Sequence, residues 1–146
     1  MKAPDLIIQG GSVFLDSGPI IADVYIREER IEAIVAPKSG VVAQKVINAR
    51  GLCVFPGLVD LHVHFREPGL THKEDFGTGS RAALAGGVTT VFDMPNVQPA
   101  TTTPLAFREK LLTVVSKAHC DFGLWAGGTD GSSYAKFATL GAVGVK

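Results

Sequence analysis

Two histidines separated by one residue are the side chains in this sequence best placed to bind a metal. His62 and His64 lie in residues 59–66, where apolar and polar side chains alternate without exception. Successive side chains of a β-strand point to opposite faces, so Asp60, His62, His64 and Arg66 are expected to share one face. Two imidazoles on one face can both reach one ion at about 2.0–2.1 Å, the usual Zn–N distance. An edge strand with one solvated face would show the same alternation. The neighbouring elements must therefore distinguish a metal-binding face from a solvated one.

The chain before residue 56 is predicted to consist of short strands. Turn-forming runs such as Gly10-Gly11 and residues 37–40 separate segments that are rich in β-branched residues. Strands are predicted over residues 6–8, 13–15, 20–26, 30–35, 45–48 and 52–55. Closely spaced strands of this kind are typical of a β-sandwich, so residues 1–57 are predicted to form part of a small sandwich.

From Pro56-Gly57 onward, predicted strands alternate with predicted helices. Strands are expected over residues 59–65, 88–93, 120–125 and 142–146, and helices over 71–86, 104–118 and 132–140. The first helix has a capping-box pattern at Thr71 and Glu74, and the second has Thr103 before Pro104. The strand spacing is close to the roughly 30 residues per unit of an eight-stranded barrel of about 250 residues. Residues 58–146 therefore predict an α/β fold, the first half of a (β/α)8 TIM barrel with about four strands.

A barrel of this kind favours the metal interpretation of the histidine pair. Helices cover the outer face of each strand, so the polar face of residues 59–66 would point into the barrel. Polar groups inside a TIM barrel belong near its C-terminal mouth, where catalysis takes place. The sequence therefore predicts that His62 and His64 lie at a catalytic site.

Two long segments resemble one enzyme superfamily. Residues 55–76, with the run His62-Val63-His64-Phe65-Arg66, and residues 82–96, with Met94-Pro95-Asn96, are similar to the amidohydrolase superfamily and within it to the dihydroorotases. The similarity covers nearly the whole chain, because the strands before residue 56 also resemble the N-terminal part of these proteins. One departure is Val97, where dihydroorotases usually have threonine.

The resemblance implies a role for each of five residues. His62 and His64 would be metal ligands in a site that holds one or two zinc ions. Lys146 would be carboxylated to a carbamate that bridges two ions, although a terminal lysine also fits a solvated tail. Arg66 would bind the carboxylate of the substrate through its planar fork of donors, and the amide of Asn96 would be a second contact.

The activity implied is that of a zinc-dependent dihydroorotase. Such an enzyme reversibly cyclises N-carbamoyl-L-aspartate to dihydroorotate in de novo pyrimidine biosynthesis, by attack of a metal-bridging hydroxide on the ring amide carbon. Arg66 together with Asn96 favours a substrate that carries a free carboxylate, because allantoinases typically lack the arginine and the Met-Pro-Asn run. Dihydroorotate and N-carbamoyl-aspartate are such small-molecule substrates.

Two alternatives stay open at this point. The chain could belong to a noncatalytic dihydroorotase homologue that serves as a structural subunit, for instance of an aspartate transcarbamoylase. It could also belong to another cyclic amidohydrolase, such as an allantoinase or a hydantoinase. The presence of His62, His64 and Lys146 argues against the structural subunit, because a site without catalytic function has no physical need for these residues.

The resemblance also implies ligands that this sequence does not contain. The family has two more metal-binding histidines on strands five and six, and a catalytic aspartate on strand eight. His72 and His119, the two other histidines here, are expected on the surface. We therefore expect the isolated 146-residue chain to lack hydrolase activity and to self-associate through open strand edges, and the complete protein to form a homo-oligomer, such as a dimer.

Composition excludes several classes of protein. The 146 residues are 46% hydrophobic, and 14 Lys plus Arg balance 14 Asp plus Glu, so nothing favours binding to nucleic acid or to a membrane. Cys53 and Cys120 lie in apolar stretches and are expected to be buried thiols in a reducing compartment. These features predict a cytoplasmic protein.

Overall fold

The computed structural model describes residues 3–129 and 134–146. Contacts divide the chain into two compact units, one that ends at Pro56 and one from Gly57 to Lys146.

The first unit is a five-stranded sheet. Its strands are β1 (Leu6–Leu15), β2 (Gly18–Arg27), β3 (Arg30–Val35), β4 (Lys45–Asn48) and β5 (Cys53–Val54). The order is β3-β2-β1-β4, with β5 also paired to β1. β2 runs antiparallel to β1 and β3, whereas β4 and β5 run parallel to β1. Its buried residues are few, and Val13, Ala22 and Val24 form its core.

The turn predicted at Gly10-Gly11 is wrong, because β1 continues through both glycines. The register between β1 and β2 shifts at this point, which is a β-bulge. Gly10 has a φ of 70°, and its N–H donates to the buried carboxylate of Asp23 at 2.8 Å. A Cβ on Gly11 would lie 2.5 Å from the Val54 side chain. The two glycines thus permit a bulge and a close strand contact instead of a turn.

The second unit alternates strands and helices as predicted. It contains β6 (Leu58–Val63), α1 (Phe76–Ala85), β7 (Val88–Asp93), α2 (Pro104–Val115), β8 (Asp121–Ala126), α3 (Tyr134–Thr139) and β9 (Gly144–Val145). The four strands are parallel and lie in the order β6-β7-β8-β9. This curled parallel sheet is half of a TIM barrel, which confirms the predicted fold class. The predicted helix start at Ser132-Ser133 lies outside the described residues.

One apolar core joins the helices to this sheet. Four of its members are aromatic, and the core consists of Phe65, Phe76, Val91, Phe107, Val114, Leu124, Ala126 and Phe137. Phe76 at the start of α1 is fully buried and meets Phe65 edge to face at 5.2 Å between ring centroids. Because Phe65 directly follows His64, this packing holds the end of the histidine segment against α1.

The outer strands of the second sheet expose apolar side chains. Leu58, Val59 and Leu61 on β6 are each more than half exposed, and Val145 on β9 is 39% exposed. Within the part of the chain that the structure describes, neither strand has a partner on its outer side. The predicted open edges are therefore confirmed.

Helix α1 begins five residues later than the capping box at Thr71 predicts. Its N-cap is Asp75, whose carboxylate accepts the Thr78 N–H at 2.8 Å, and Glu74 bonds the Thr78 hydroxyl. The Asp75 carboxylate thus caps the helix in place of the predicted Thr71 hydroxyl. The predicted end is confirmed, since Gly87 follows the helix with a left-handed φ of 84°.

We expect Asp75→Ala to lower the midpoint of urea unfolding at pH 7, because α1 loses its cap. The Thr78 N–H lowers the pKa of Asp75, so folding favours its charged form. This contribution is present above the ordinary carboxyl pKa of about 3.9 and disappears as pH falls through the folded pKa. The matched control is Asp121→Ala, at an exposed carboxylate. An effect of Asp75→Ala that is equally large at pH 7 and pH 2 would contradict this explanation.

The two cysteines lie in different environments. Cys53 is exposed, so the expectation of a buried thiol at this position is wrong. Cys120 is half-buried against the core of the second unit, and this burial raises the pKa of its thiol. The edge position of the short strand β5 explains the exposure of Cys53, because β5 pairs only with β1 among the described strands.

Candidate metal and substrate site

His62 and His64 lie at the carboxyl end of β6, and their ring nitrogens approach each other. The two Nε2 atoms are 3.2 Å apart. Two ligands at about 2.0–2.1 Å from one tetrahedral zinc ion would be about 3.3 Å apart. The histidine pair therefore fits two adjacent positions around one metal ion.

A hydrogen bond determines which nitrogen of His64 can bind a metal. Its Nδ1 lies 2.8 Å from Oδ1 of Asn96, which can only accept a hydrogen bond. Nδ1 must then carry the proton, and the lone pair is left on Nε2, the atom that faces His62. Ligand histidines in proteins are commonly held by such a partner on the second nitrogen. Asn96 therefore orients His64 in addition to any contact with a substrate.

Lys146 reaches the histidine pair from the end of β9. Its Nζ lies 3.4 Å from Nε2 of His62 and 3.6 Å from the Met94 sulfur. Its backbone N–H donates to Ala126 at 2.9 Å and its carbonyl accepts from Gly128 at 2.7 Å. These bonds continue the pairing of β9 with β8, so the backbone of Lys146 is anchored, while its side chain stays exposed.

An open recess of about 360 Å³ brings these side chains together. It is lined by His62, His64, Met94, Pro95, Asn96 and Lys146. Within the described ranges no group of three or more His, Cys, Asp and Glu side chains is placed to hold an ion. The recess thus offers two imidazoles and one amine at the carboxyl ends of parallel strands, where barrel enzymes have their active sites.

Arg66 lies near the histidine pair in the sequence but follows the end of β6. The strand ends at Val63, and Arg66 has a left-handed φ of 65°, so the predicted alternation does not extend to it. Its carbonyl accepts the Leu70 N–H at 3.0 Å. A positive φ is uncommon for a residue other than glycine and often marks a functional loop.

The guanidinium of Arg66 has no hydrogen bond or ion pair with any residue in the ranges 3–129 and 134–146. Two acidic residues nearby are engaged elsewhere: Glu67 pairs with Lys117, and Asp75 caps α1. The half-buried cation is therefore free to bind an anion.

The remaining polar residues of this region do not join the recess. Asp60 accepts the backbone N–H of His62 at 3.0 Å, and its carboxylate has no hydrogen bond to an imidazole ring of the described residues. His72 and His119 are exposed, as expected, and His119 bonds Arg81 at 2.9 Å. The pair His62 and His64 is thus the part of the predicted histidine set that the structure brings together.

A buried ion pair under the recess was not recognised in the sequence. Asp93 at the end of β7 and Lys110 on α2 are 2.5 Å apart, and both side chains are fully buried. Burial raises the pKa of Asp93 and lowers the pKa of Lys110, while their mutual attraction opposes both shifts. One signal was available, because Lys110 lies three residues after Phe107 and four before Val114, on the apolar stripe of α2.

Comparisons with known proteins place the chain in a family. The model of the Amidohydrolase family matches residues 53–136. An allantoinase from Solibacter usitatus is 44% identical over 145 residues, which are 97% of this chain and 31% of that protein. A dihydroorotase from Lactobacillus gasseri is 50% identical over 98 residues, which are 67% of this chain and 22% of that protein.

A solved structure shows the same fold. The L-hydantoinase (dihydropyrimidinase) from Arthrobacter aurescens has a TM-score of 0.91 at 35% identity, and the match covers 97% of this chain and 32% of that one. The chain thus spans about a third or less of the length of these relatives. No helix among the described residues is long and apolar enough to cross a membrane. The match over residues 53–136 and the shared fold establish that this chain belongs to the amidohydrolase family.

Proposed function

We propose that the protein carrying this sequence is a zinc-dependent cyclic amidohydrolase that interconverts N-carbamoyl-L-aspartate and dihydroorotate. The observation that carries the metal site is the 3.2 Å distance between Nε2 of His62 and Nε2 of His64. The observation that favours a substrate with a carboxylate is the guanidinium of Arg66, which has no hydrogen bond or ion pair with the residues that the structure describes. Relatives named dihydroorotase support this choice.

His62 and His64 would hold the zinc ion through their Nε2 atoms. Zinc in such a site supplies Lewis-acid polarisation of the amide carbonyl and lowers the pKa of a water. Asn96 keeps the proton of His64 on Nδ1, so that Nε2 stays free for the ion. Lys146, with Nζ 3.4 Å from the His62 ring, would join as a carbamate, formed when its neutral amine adds to carbon dioxide and releases a proton.

Arg66 would bind and orient the substrate through its carboxylate. Its five donors in a planar fork match the two oxygens of a carboxylate. This contact would fix the orientation of the ring, so that the amide carbonyl faces the recess. The amide N–H₂ of Asn96 is a second donor at the recess, since the oxygen of that amide is occupied by His64.

Allantoinase activity is the second candidate, and one observation favours it. The allantoinase from Solibacter usitatus matches 97% of this chain, whereas the dihydroorotase from Lactobacillus gasseri matches 67%. We give it second place because allantoin carries no carboxylate to pair with Arg66.

The test is a panel of cyclic amides with the purified protein at its natural length. We expect kcat/KM to be highest for dihydroorotate, and lower for allantoin, dihydrouracil and 5-substituted hydantoins. A preference for allantoin or for a hydantoin would overturn the dihydroorotase assignment and leave the amidohydrolase family intact. Zinc binding without turnover of any member would favour a noncatalytic structural subunit.

Zinc affinity provides a test that does not depend on the substrate. We expect Asn96→Ala to lower zinc affinity about 10- to 100-fold, because such a loss is typical when the second nitrogen of a ligand histidine loses its partner. His62→Ala should lower it further, because a ligand is removed. Competition with a chromophoric chelator measures both values, and His72→Ala, at an exposed histidine, is the control. Unchanged affinity in His62→Ala would show that this pair is not the zinc site.

A further inference from the structure

The backbone on both sides of His64 is bound to the end of β7. The N–H of Met94 donates to the carbonyl of Val63 at 3.0 Å, which fixes the residue before His64. The N–H of Phe65 donates to Oδ1 of Asp93 at 2.7 Å, which fixes the residue after it. One of these two bonds joins two backbone groups, and the other depends on a single side chain.

That side chain is Asp93, and Lys110 on α2 holds its carboxylate. Nζ of Lys110 lies 2.5 Å from Oδ2 of Asp93 and donates to the carbonyl of Met94 at 2.9 Å. With Oδ2 occupied by the ammonium, Oδ1 is directed at the N–H of Phe65. Both charged groups are fully buried, so no solvent competes for these bonds.

Stability alone does not explain a buried ion pair at this place. Removing two charges from water costs about as much as their attraction returns, and apolar residues of similar size often stabilise a protein as well or better. An apolar pair, however, would leave the N–H of Phe65 without its acceptor. The ion pair supplies an oriented acceptor next to His64 that an apolar pair lacks.

We propose that Asp93, held by Lys110, is a positioning residue for the metal site. Through the N–H of Phe65 it fixes the backbone of His64, so that the His64 ring meets Asn96 with Nδ1 and His62 with Nε2. This inference rests on the proposed zinc site, but not on the identity of the substrate.

The imidazole tautomer of His64 provides the readout, because a merely structural role would not change it. Two-bond ¹⁵N–¹H NMR spectra of the metal-free protein at about pH 8 show which ring nitrogen carries the proton. Asp93→Asn with Lys110→Met removes both charges and keeps an acceptor oxygen for Phe65. We expect this double variant to retain the Nδ1–H tautomer of His64. Asp93→Leu with Lys110→Met removes the acceptor as well, and we expect it to show a mixture of tautomers.

Zinc and cobalt affinities complete the experiment. The Leu-containing double variant should bind Zn²⁺ and Co²⁺ about 10- to 100-fold more weakly than the Asn-containing one. The control is Lys117→Met, which breaks the ion pair between Lys117 and Glu67. It should leave the His64 tautomer unchanged.

Two results would overturn the proposal. One is a folded Asp93→Leu, Lys110→Met variant with the wild-type tautomer and metal affinity, and the other is loss of the tautomer in the Asn-containing variant. If the variant Asp93→Leu with Lys110→Met does not fold, Asp93→Ser with Lys110→Met replaces it, because the serine side chain is too short to reach the Phe65 N–H. Failure of wild-type protein to bind zinc would instead count against the proposed function, and the tautomer comparison would still test Asp93.

Discussion

Replacing Arg66 with methionine is expected to lower kcat/KM for dihydroorotate by about 100- to 1000-fold. Methionine has a similar length but no charge, so the change removes the fork of donors and keeps most of the side-chain volume. Loss of one partner of a desolvated, charge-assisted contact costs roughly 2–5 kcal/mol, and each 1.4 kcal/mol is a factor of ten. Steady-state kinetics of the protein at its natural length measure the effect.

Two comparisons separate substrate binding by Arg66 from a structural role. Arg66→Lys keeps the charge but not the planar fork, so it should recover part of the lost activity. Zinc content and the unfolding midpoint should be the same in Arg66→Met and in the wild type, because the guanidinium has no hydrogen bond or ion pair with the described residues. Wild-type kinetics in Arg66→Met would refute the proposed carboxylate contact.

Lys110→Met is expected to lower the free energy of unfolding by about 3–5 kcal/mol at pH 7. The substitution leaves the carboxylate of Asp93 buried without its cation, and an uncompensated buried charge has a cost of this size. A typical domain has a total stability of about 5–15 kcal/mol, so the variant would be close to unfolding. Urea denaturation followed by circular dichroism measures the change.

The pH dependence of this effect identifies its cause. Protonation of Asp93 removes the uncompensated charge, so the loss of stability in Lys110→Met should become smaller as pH falls. Asp93→Leu with Lys110→Met should recover much of the stability, because both charges are then absent. Lys136→Met, at an exposed lysine of α3, should change little. Equal losses in Lys110→Met and Lys136→Met would contradict the explanation.

Local signals in the sequence predicted the second unit well. Thr103 and Pro104 predicted the start of α2 correctly, because a cap and a first-turn proline act within a few residues. The predicted start of α1 at Thr71 was wrong, since several residues near it can cap a helix and the fold selects Asp75. The bulge at Gly10 was mistaken for a turn because its partner, Asp23, lies on the next strand.

The site was predictable only in part, for a related reason. The alternation of residues 59–66 brought His62 and His64 together, because a strand has a period of two. The same rule failed for Arg66, since β6 ends before it. The contacts of Asn96 and of Lys146 join segments that are 32 and 84 residues apart, and no local pattern encodes them. Resemblance to the family alone indicated these two residues as site candidates.

The bonds that set the position of His64 all come from residues 62–110. These bonds join residues at most 32 positions apart, whereas the contact of Lys146 with His62 spans 84, and a shorter loop costs less closure entropy. The first two βα units thus set the spacing of the two proposed ligands, and this half of the proposed metal site is synthesised before Lys146.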